Sequence, residues 1–285
     1  LKSLSDRTRQ AYVVANTAFE NFVCSFGYSG SKPATPQQVL EFAASLSLAG
    51  KAAATASTYT AGVAFSQKLR FGSDPTQNSA VKQVLRGLRR ARPQSDDRSL
   101  LTADALKQIL AFLPMLVQSN YEVKLYTAAF SLCYAGFLRL AEFTSLSRSD
   151  ARSPLTRKDV TILSYKSALT LSIRRSKSNQ SGSPQVVTLR AAPGAGPLCP
   201  VEAMRKYLSV RPRALSLFCH YDGAPLTRHQ FQRLLQRAAT RLRLKGRVSS
   251  HSLRIGAASS AAARGFSDLE IMRLGRWRSN AFRRY

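Results

Sequence analysis

Hydrophobic residues recur at helical spacing along most of the chain, and one block between Asp159 and Leu189 departs from that pattern. Three short runs in this block are rich in β-branched and aliphatic residues, at 160–163, 169–173 and 185–189. Residues 176–184 have the composition of a turn between the last two runs. The pattern predicts a mainly α fold with one small antiparallel β-sheet.

Helix start and stop signals divide the first 90 residues into four predicted helices. Ser5 can cap the first, and Thr35 followed by Pro36 is typical of the start of the second. The third and fourth are predicted at about 53–69 and 79–90. A polar stretch with a helix-breaking proline follows. We therefore expect a helical domain at 1–92, a linker at 93–100 and a second domain at 101–285.

The second domain is also predicted to be mostly helical. Its helical patterns lie at 102–113, 121–135, 200–209, 227–242, 251–264 and 267–274.

The charge of the chain points to a polyanionic partner. Lys and Arg number 43 against 15 Asp and Glu, so the formal net charge is +28. A hydrophobic fraction of 44% is enough to form cores, which sets this chain apart from a disordered basic tail. Nucleic acid is the expected partner, and a merely solvated cationic surface is the alternative.

The sequence gives little indication of a metal site, a disulfide framework or a membrane-spanning segment. The four cysteines lie far apart without C-x-x-C spacing, and the chain has only three histidines. No apolar run approaches the roughly 18 residues of a membrane span. We expect no metal, no cofactor and no membrane association.

Several charged residues stand in patterns that suit a phosphate site. Arg139 and Glu142 are three apart, so in a helix they would share a face, either as a solvated ion pair or as a partly buried clamp. Lys177 lies at the tip of the predicted hairpin, where an ordinary turn lysine is the alternative. His251 and Arg254 are three apart at a predicted helix start, where backbone N–H groups also favour anions.

Three further groups have an ordinary interpretation and a functional one. Trp277 can pack in the core and still donate its indole N–H. Tyr285 differs from the other tyrosines in its basic neighbours, which favour the phenolate. An arginine cluster at the end of the fourth helix is equally consistent with phosphate contact and with a solvated helix end. Its members are Arg86, Arg89, Arg90 and Arg92.

The order of these motifs resembles the active site of the tyrosine recombinases, the phage-integrase superfamily. The matching segments are Gly-Phe-Leu-Arg-Leu-Ala-Glu (136–142), Lys177, His-Ser-Leu-Arg (251–254), Gly-Arg-Trp (275–277) and Tyr285. Residues 274–285 look most like recombinases of eukaryotic mobile elements, the DIRS-like retrotransposons and Cryptons. The resemblance covers nearly the whole chain, and it implies a helical core-binding domain that clamps DNA ahead of a catalytic domain.

The resemblance also implies a role for each candidate residue. Tyr285 would attack the scissile phosphate and form a 3′-phosphotyrosyl link. Arg139 and Arg254 would bind the non-bridging oxygens, with Glu142 ordering Arg139. Lys177 would donate a proton to the leaving 5′-oxygen. His251 would hydrogen-bond the phosphate or assist proton transfer, and Trp277 would donate its indole N–H to the phosphate.

Partners and location follow from the same resemblance. It implies double-stranded DNA as substrate and self-association, as a tetramer, on that DNA. It implies a nuclear location in a eukaryote and a cytoplasmic one, at the nucleoid, otherwise. The sequence ends on Tyr285, whereas family members usually continue, often with a helix that docks on a neighbouring protomer. We therefore expect either a truncated chain or one that lacks this contact.

Two other activities are compatible with the same residues. One is a transposon-derived protein that keeps the DNA clamp and has lost catalysis. The other is a type IB topoisomerase-like strand-passage enzyme or a telomere resolvase, whose chemistry is closely related. Dependence on paired target sites separates recombination from simple relaxation.

Overall fold

A computed structural model describes residues 4–28, 33–91, 99–150, 155–163, 167–174, 184–277, 279 and 282–283. The chain folds into two compact units, Leu1–Asp96 and Asp97–Tyr285. The predicted linker at 93–100 falls mostly outside the described residues.

The first unit contains four helices, α1 (Asp6–Ser25), α2 (Pro36–Leu48), α3 (Ala53–Phe71) and α4 (Ser79–Ala91). The predicted caps are confirmed: the Ser5 side chain accepts a hydrogen bond from the backbone of Thr8, and Thr35 forms a capping box with Gln38. A small aromatic core joins the helices, with the rings of Phe19 and Phe42 in edge-to-face contact at 5.2 Å.

The second unit contains seven helices and one sheet among its described residues. The helices are α5 (Ala103–Phe112), α6 (Asn120–Ala135), α7 (Leu140–Phe143), α8 (Pro200–Leu208), α9 (Arg228–Arg241), α10 (Ser250–Ala263) and α11 (Asp268–Gly275). The strands are β1 (Val160–Ile162), β2 (Ala168–Ile173) and β3 (Gln185–Arg190). They pair antiparallel in the order β1-β2-β3, which confirms the predicted fold class.

Helix α6 forms the centre of the second unit. Nine of its residues are buried, and it packs against both α8 and α10. Gly256 lets α10 come close to the chain that enters α5: a Cβ there would lie 1.8 Å from the carbonyl oxygen of Leu101. This packing fixes α10 relative to the carboxyl end of α6, where the candidate site lies.

None of the described helices combines the length and the hydropathy that crossing a bilayer requires.

Candidate active site

Two tight turns bring the carboxyl ends of α6 and α11 together. Phe137, just after α6, has φ of 48°, and Arg276, just after α11, has φ of 53°. Both residues are in the left-handed region, which is unusual for side chains of this size and costs free energy that neighbouring contacts must offset. Three arginines, Arg139, Arg254 and Arg276, make contacts that hold the two turns.

Arg139 and Glu142 form the predicted pair, but in a different geometry from the one the sequence suggests. Helix α7 is only four residues long, and Arg139 precedes it as the N-cap with an extended backbone, so the two residues do not share a helical face. The Glu142 carboxylate instead reaches back, accepting from the Arg139 backbone N–H at 2.9 Å and from its Nη1 at 3.1 Å. The carboxylate is buried, with 1% of its side chain exposed, whereas 22% of the Arg139 side chain remains exposed.

Arg254 lies in the second turn of α10 and is 3% exposed. Its Nη1 donates to the carbonyl oxygen of Phe137 and its Nη2 to that of Gly275, so one guanidinium joins both turns. Burial, then the charges of Arg139 and Arg276, lower the pKa of Arg254 to about 9. A nearby anion would stabilise the charged form of a guanidinium in this environment.

Arg276 is the residue that sequence reasoning missed. Its side chain is 7% exposed and its Nη2 donates to Glu142 Oε2 at 2.7 Å. The same guanidinium donates to the carbonyl oxygens of Gly136 at 3.1 Å and Phe137 at 3.2 Å. Burial lowers the pKa of Arg276, and Glu142 opposes that shift. Its place between Gly275 and Trp277, inside a recognised motif, is the signal that could have found it.

Among the described residues, three guanidiniums therefore surround a single carboxylate. Their formal sum, +2, leaves the cluster short of negative charge, and the partly exposed Arg139 gives an anion access to it. Planar guanidiniums match the oxygens of a phosphate in two-point contacts. Such an arrangement is chemically suited to bind an oxyanion.

Trp277 forms one wall of the cluster. Its ring lies 4.2 Å below the Arg254 guanidinium carbon and meets Phe137 edge-to-face at 6.1 Å. Gly275 makes room for this ring, because a Cβ there would lie 1.7 Å from Trp277 Cζ3. The contact stacks the indole against Arg254, and the ring is only partly buried.

His251 occupies the first turn of α10, three residues before Arg254, and is half-buried. The turn is fixed from α9, since Gln232 accepts from the backbone N–H of Ser250 at 2.8 Å. Lys177 and Tyr285 lie outside the described residues. Three other cations are close to Lys177 in sequence and are alternatives to it, namely Lys166, Arg174 and Arg175. Lys166 and Arg175 also lie outside the described residues, whereas Arg174 forms an ion pair with the buried Asp159 at 2.8 Å.

Helix α9 presents a cationic face that the sequence analysis did not single out. Arg233, Arg237 and Arg241 are exposed and recur every four residues, so they form one row. The opposite face packs in the core. More exposed cations follow the helix, at Arg243, Lys245 and Arg247, and the sequence has no Asp or Glu from 223 to 267. The spacing of this row was legible from sequence alone.

Helix α4 carries the arginine cluster noted in the sequence. Val81 is buried and Leu85 and Leu88 pack on the core of the first unit, so the helix has one apolar face. Arg86, Arg89 and Arg90 are exposed, and Arg89 also donates to Ser57 at 3.1 Å. Arg92 lies outside the described residues.

The fold is similar to that of several solved recombinases. A lambda integrase dimer bound to a COC' core site is 16% identical with a TM-score of 0.66, over 98% of this chain and 71% of that one. The Tn1549 transposon integrase in complex with transposon right end DNA is 13% identical with a TM-score of 0.68, over 98% of this chain and 88% of that one. The XerH site-specific recombinase bound to palindromic difH substrate is 17% identical with a TM-score of 0.67, over 96% of this chain and 74% of that one.

No curated protein sequence matches the chain significantly. The model of the phage integrase family matches residues 99–285, which include Arg139, Arg254 and Arg276 and the two turns that these residues hold. The chain belongs to the phage integrase family.

Proposed function

We propose that this chain cleaves and rejoins DNA strands as a tyrosine recombinase, in site-specific recombination or in the integration of a mobile element. One observation carries the proposal: Arg139 and Arg254, 115 positions apart in sequence, are fixed on the same turn at 136–139, with His251 one helical turn away. A purely structural ion pair would not require two further guanidiniums around one carboxylate.

The proposed reaction is a phosphoryl transfer without external energy. The Tyr285 phenolate oxygen forms a bond to the scissile phosphorus, the bond to the 5′-oxygen breaks, and the DNA 3′-phosphate becomes linked to the tyrosine. Lys177 donates a proton to the leaving 5′-oxygen, and His251 assists removal of the phenol proton. Attack by a 5′-hydroxyl reverses each step and reseals a strand.

The arginines stabilise the charge that develops on the phosphate. Arg139 is exposed enough to reach a non-bridging oxygen, and Arg254 is held rigidly by two carbonyl oxygens and the Trp277 ring. Preorganised donors lose little free energy to reorientation during the reaction, which is why such sites are effective. Trp277 would add its indole N–H to the same phosphate.

Duplex DNA is the proposed partner. The exposed row on α9 leads through Gln232 to the first turn of α10, so backbone phosphates bound along α9 would continue towards His251. The arginines of α4 would contact phosphates from the first unit, in the manner of a clamp. One solved relative is a lambda integrase tetramer bound to a Holliday junction. We propose that this chain also self-associates on DNA.

The finer relationship is a proposal as well. The segment 274–285 supports a kinship with recombinases of eukaryotic mobile elements, the DIRS-like retrotransposons and Cryptons. Such an element would place the protein in the nucleus.

A strand-exchange assay tests the function. Two duplexes with different fluorescent labels share the same candidate target site, and the full chain is added without a nucleotide cofactor. A recombinase yields a product that carries both labels. Relaxation of supercoiled DNA without exchange would identify a topoisomerase-like enzyme, and binding without any cleavage would identify an inactive relative; either result contradicts the proposal.

A further inference from the structure

Arg276 has more contacts in the cluster than its place at the end of a helix would suggest. Its guanidinium bonds Glu142, Gly136 and Phe137, and its backbone carbonyl accepts from Arg139 Nη2 at 3.3 Å. It therefore contacts the turn at 136–139 and the proposed phosphate-binding arginine at the same time. It is not among the residues proposed to act on the phosphate.

The burial of Arg276 has a free-energy cost. A left-handed backbone at φ of 53° is unfavourable for a long side chain, and the removal of a guanidinium from water is more unfavourable still. A solvated arginine at the carboxyl end of α11 would avoid both costs and would interact favourably with the helix dipole. The buried Arg276 side chain instead holds the groups that it contacts in place.

Two of those groups determine the orientation of Arg139. The Glu142 carboxylate accepts from Arg276 on Oε2 and from Arg139 Nη1 on Oε1, so each guanidinium takes one oxygen. The Arg276 carbonyl holds Arg139 Nη2 from the other side. Without Arg276, Arg139 would be the single cation among the described residues that donates a hydrogen bond to the buried carboxylate, which would draw that guanidinium inward.

Arg254 contacts the same turn as Arg276. The Phe137 carbonyl oxygen accepts from Arg254 Nη1 and from Arg276 Nη2, so both arginines stabilise the strained Phe137 backbone. A shift of this carbonyl would therefore move Arg254 as well.

We infer that Arg276 is a positioning residue, which holds Glu142 and the turn at 136–139 so that Arg139 and Arg254 present their guanidiniums to one phosphate. The inference rests on the proposed function for the identity of that phosphate, a DNA phosphodiester. Arg276 itself does not touch the anion.

Inorganic phosphate is a suitable probe, because it binds the cluster without any target sequence. Trp277 is the only tryptophan and contacts Arg254, so its fluorescence reports phosphate binding at this place on a strongly basic protein. Titrations of the full chain are compared with chloride at equal ionic strength. The variants are Arg276→Ala, Arg276→Lys, Arg139→Ala and the double variant, with Arg273→Ala as matched control, an exposed arginine on the same helix.

Arg276→Ala should weaken phosphate binding about tenfold, the scale of one lost charge-assisted contact. Arg276→Lys should recover part of the affinity, since an ammonium can pair with Glu142 but cannot also bond two carbonyl oxygens. Arg273→Ala should bind as the wild type does. The double variant should bind more weakly than Arg139→Ala alone, but by less than the product of the two single losses, because Arg276 acts partly through Arg139 and partly through Arg254. Circular dichroism checks folding, and Arg276→Lys carries the test if Arg276→Ala does not fold.

Multiplicative losses in the double variant would overturn the inference, since they would indicate direct contact of Arg276 with the anion. Unchanged affinity in folded Arg276→Ala, or a wild type that binds no phosphate, would overturn it too. Failure of the proposed function looks different: phosphate binds with the expected coupling, but the chain exchanges no DNA strands.

Discussion

At the scale of single residues, unfavourable electrostatic interactions are concentrated around Arg254. Arg254 is buried with two other guanidiniums nearby and a pKa lowered to about 9, so at neutral pH it carries a charge that its surroundings disfavour. Its two carbonyl contacts and the Trp277 ring offset part of that cost. The remainder is available to stabilise a bound anion, and more so a transition state with additional negative charge.

Replacement of Arg254 by alanine should lower single-turnover DNA cleavage by about 100-fold or more, the scale of a lost oxyanion donor. Affinity for DNA should fall little, because most of it comes from the cationic surfaces. Cleavage and affinity are measured on the same nicked duplex, by gel and by fluorescence anisotropy. Arg264→Ala, at the exposed end of the same helix, is the control. Undiminished cleavage in the Arg254 variant would remove this residue from the site.

The sequence predicts the individual residues of the site less well than its motifs. Arg139 and Glu142 do pair, but through a capping contact that their spacing in an assumed helix does not describe. Arg276 escaped notice because an arginine at a helix end is usually solvated, and its burial depends on two turns that meet only in the folded chain. The catalytic roles of all these residues, including Lys177 and Tyr285, remain predictions.

At the scale of elements, close packing of α10 sets the position of His251 and Arg254. Caps and breakers made the helices predictable, as Ser267 shows by forming a capping box with Glu270 at the start of α11. Residues 256–263 of α10 are all Gly, Ala or Ser, a composition that favours close packing, and a Cβ at Gly256 would lie 1.8 Å from the Leu101 carbonyl oxygen. The length of α7 could not be predicted from sequence, because four residues are too few to show a helical repeat.

Gly256→Ala should destabilise the protein by about 1–3 kcal/mol, since its methyl group would overlap the Leu101 carbonyl oxygen. Gly87→Ala, on α4, meets no atom within 4 Å and should stabilise by about 0.5–1 kcal/mol through helix propensity. Urea unfolding followed by circular dichroism measures both. Equal stability of the two variants would show that α10 can shift away from Leu101 without loss.

The cationic row on α9 makes a prediction at the same scale. Replacement of Arg233, Arg237 and Arg241 by glutamine should reduce the slope of log affinity against log salt by about 2 to 3, roughly one released counterion for each phosphate contact. Anisotropy titrations over a range of salt concentrations give the slope. Arg205→Gln removes a guanidinium that already pairs with Glu202 at 2.7 Å, and it should leave the slope unchanged. An unaltered slope in the triple variant would exclude α9 from the DNA surface.

At the scale of the whole molecule, a formal charge of +28 is distributed so that some cations are free for a partner and others are committed to the site. The total was readable from composition. The division of the charge between interior and surface could not be read from composition, because it depends on which side chains are buried. Arg254 and Arg276 lie inside, whereas the exposed arginines of α4 and α9 lie on the surface. The proposed function needs both kinds, the surface rows to hold DNA and the buried cluster to stabilise one phosphate.

The central claim is that Tyr285 becomes covalently joined to DNA beside this cluster. The full chain is incubated with a library of nicked random-sequence duplexes, and denaturant-resistant adducts are isolated and sequenced. A covalent link between Tyr285 and DNA predicts an adduct that disappears in Tyr285→Phe and persists in Tyr221→Phe, a control tyrosine that is 76% exposed. An adduct that survives in Tyr285→Phe, or no adduct despite tight and salt-sensitive binding, would contradict it.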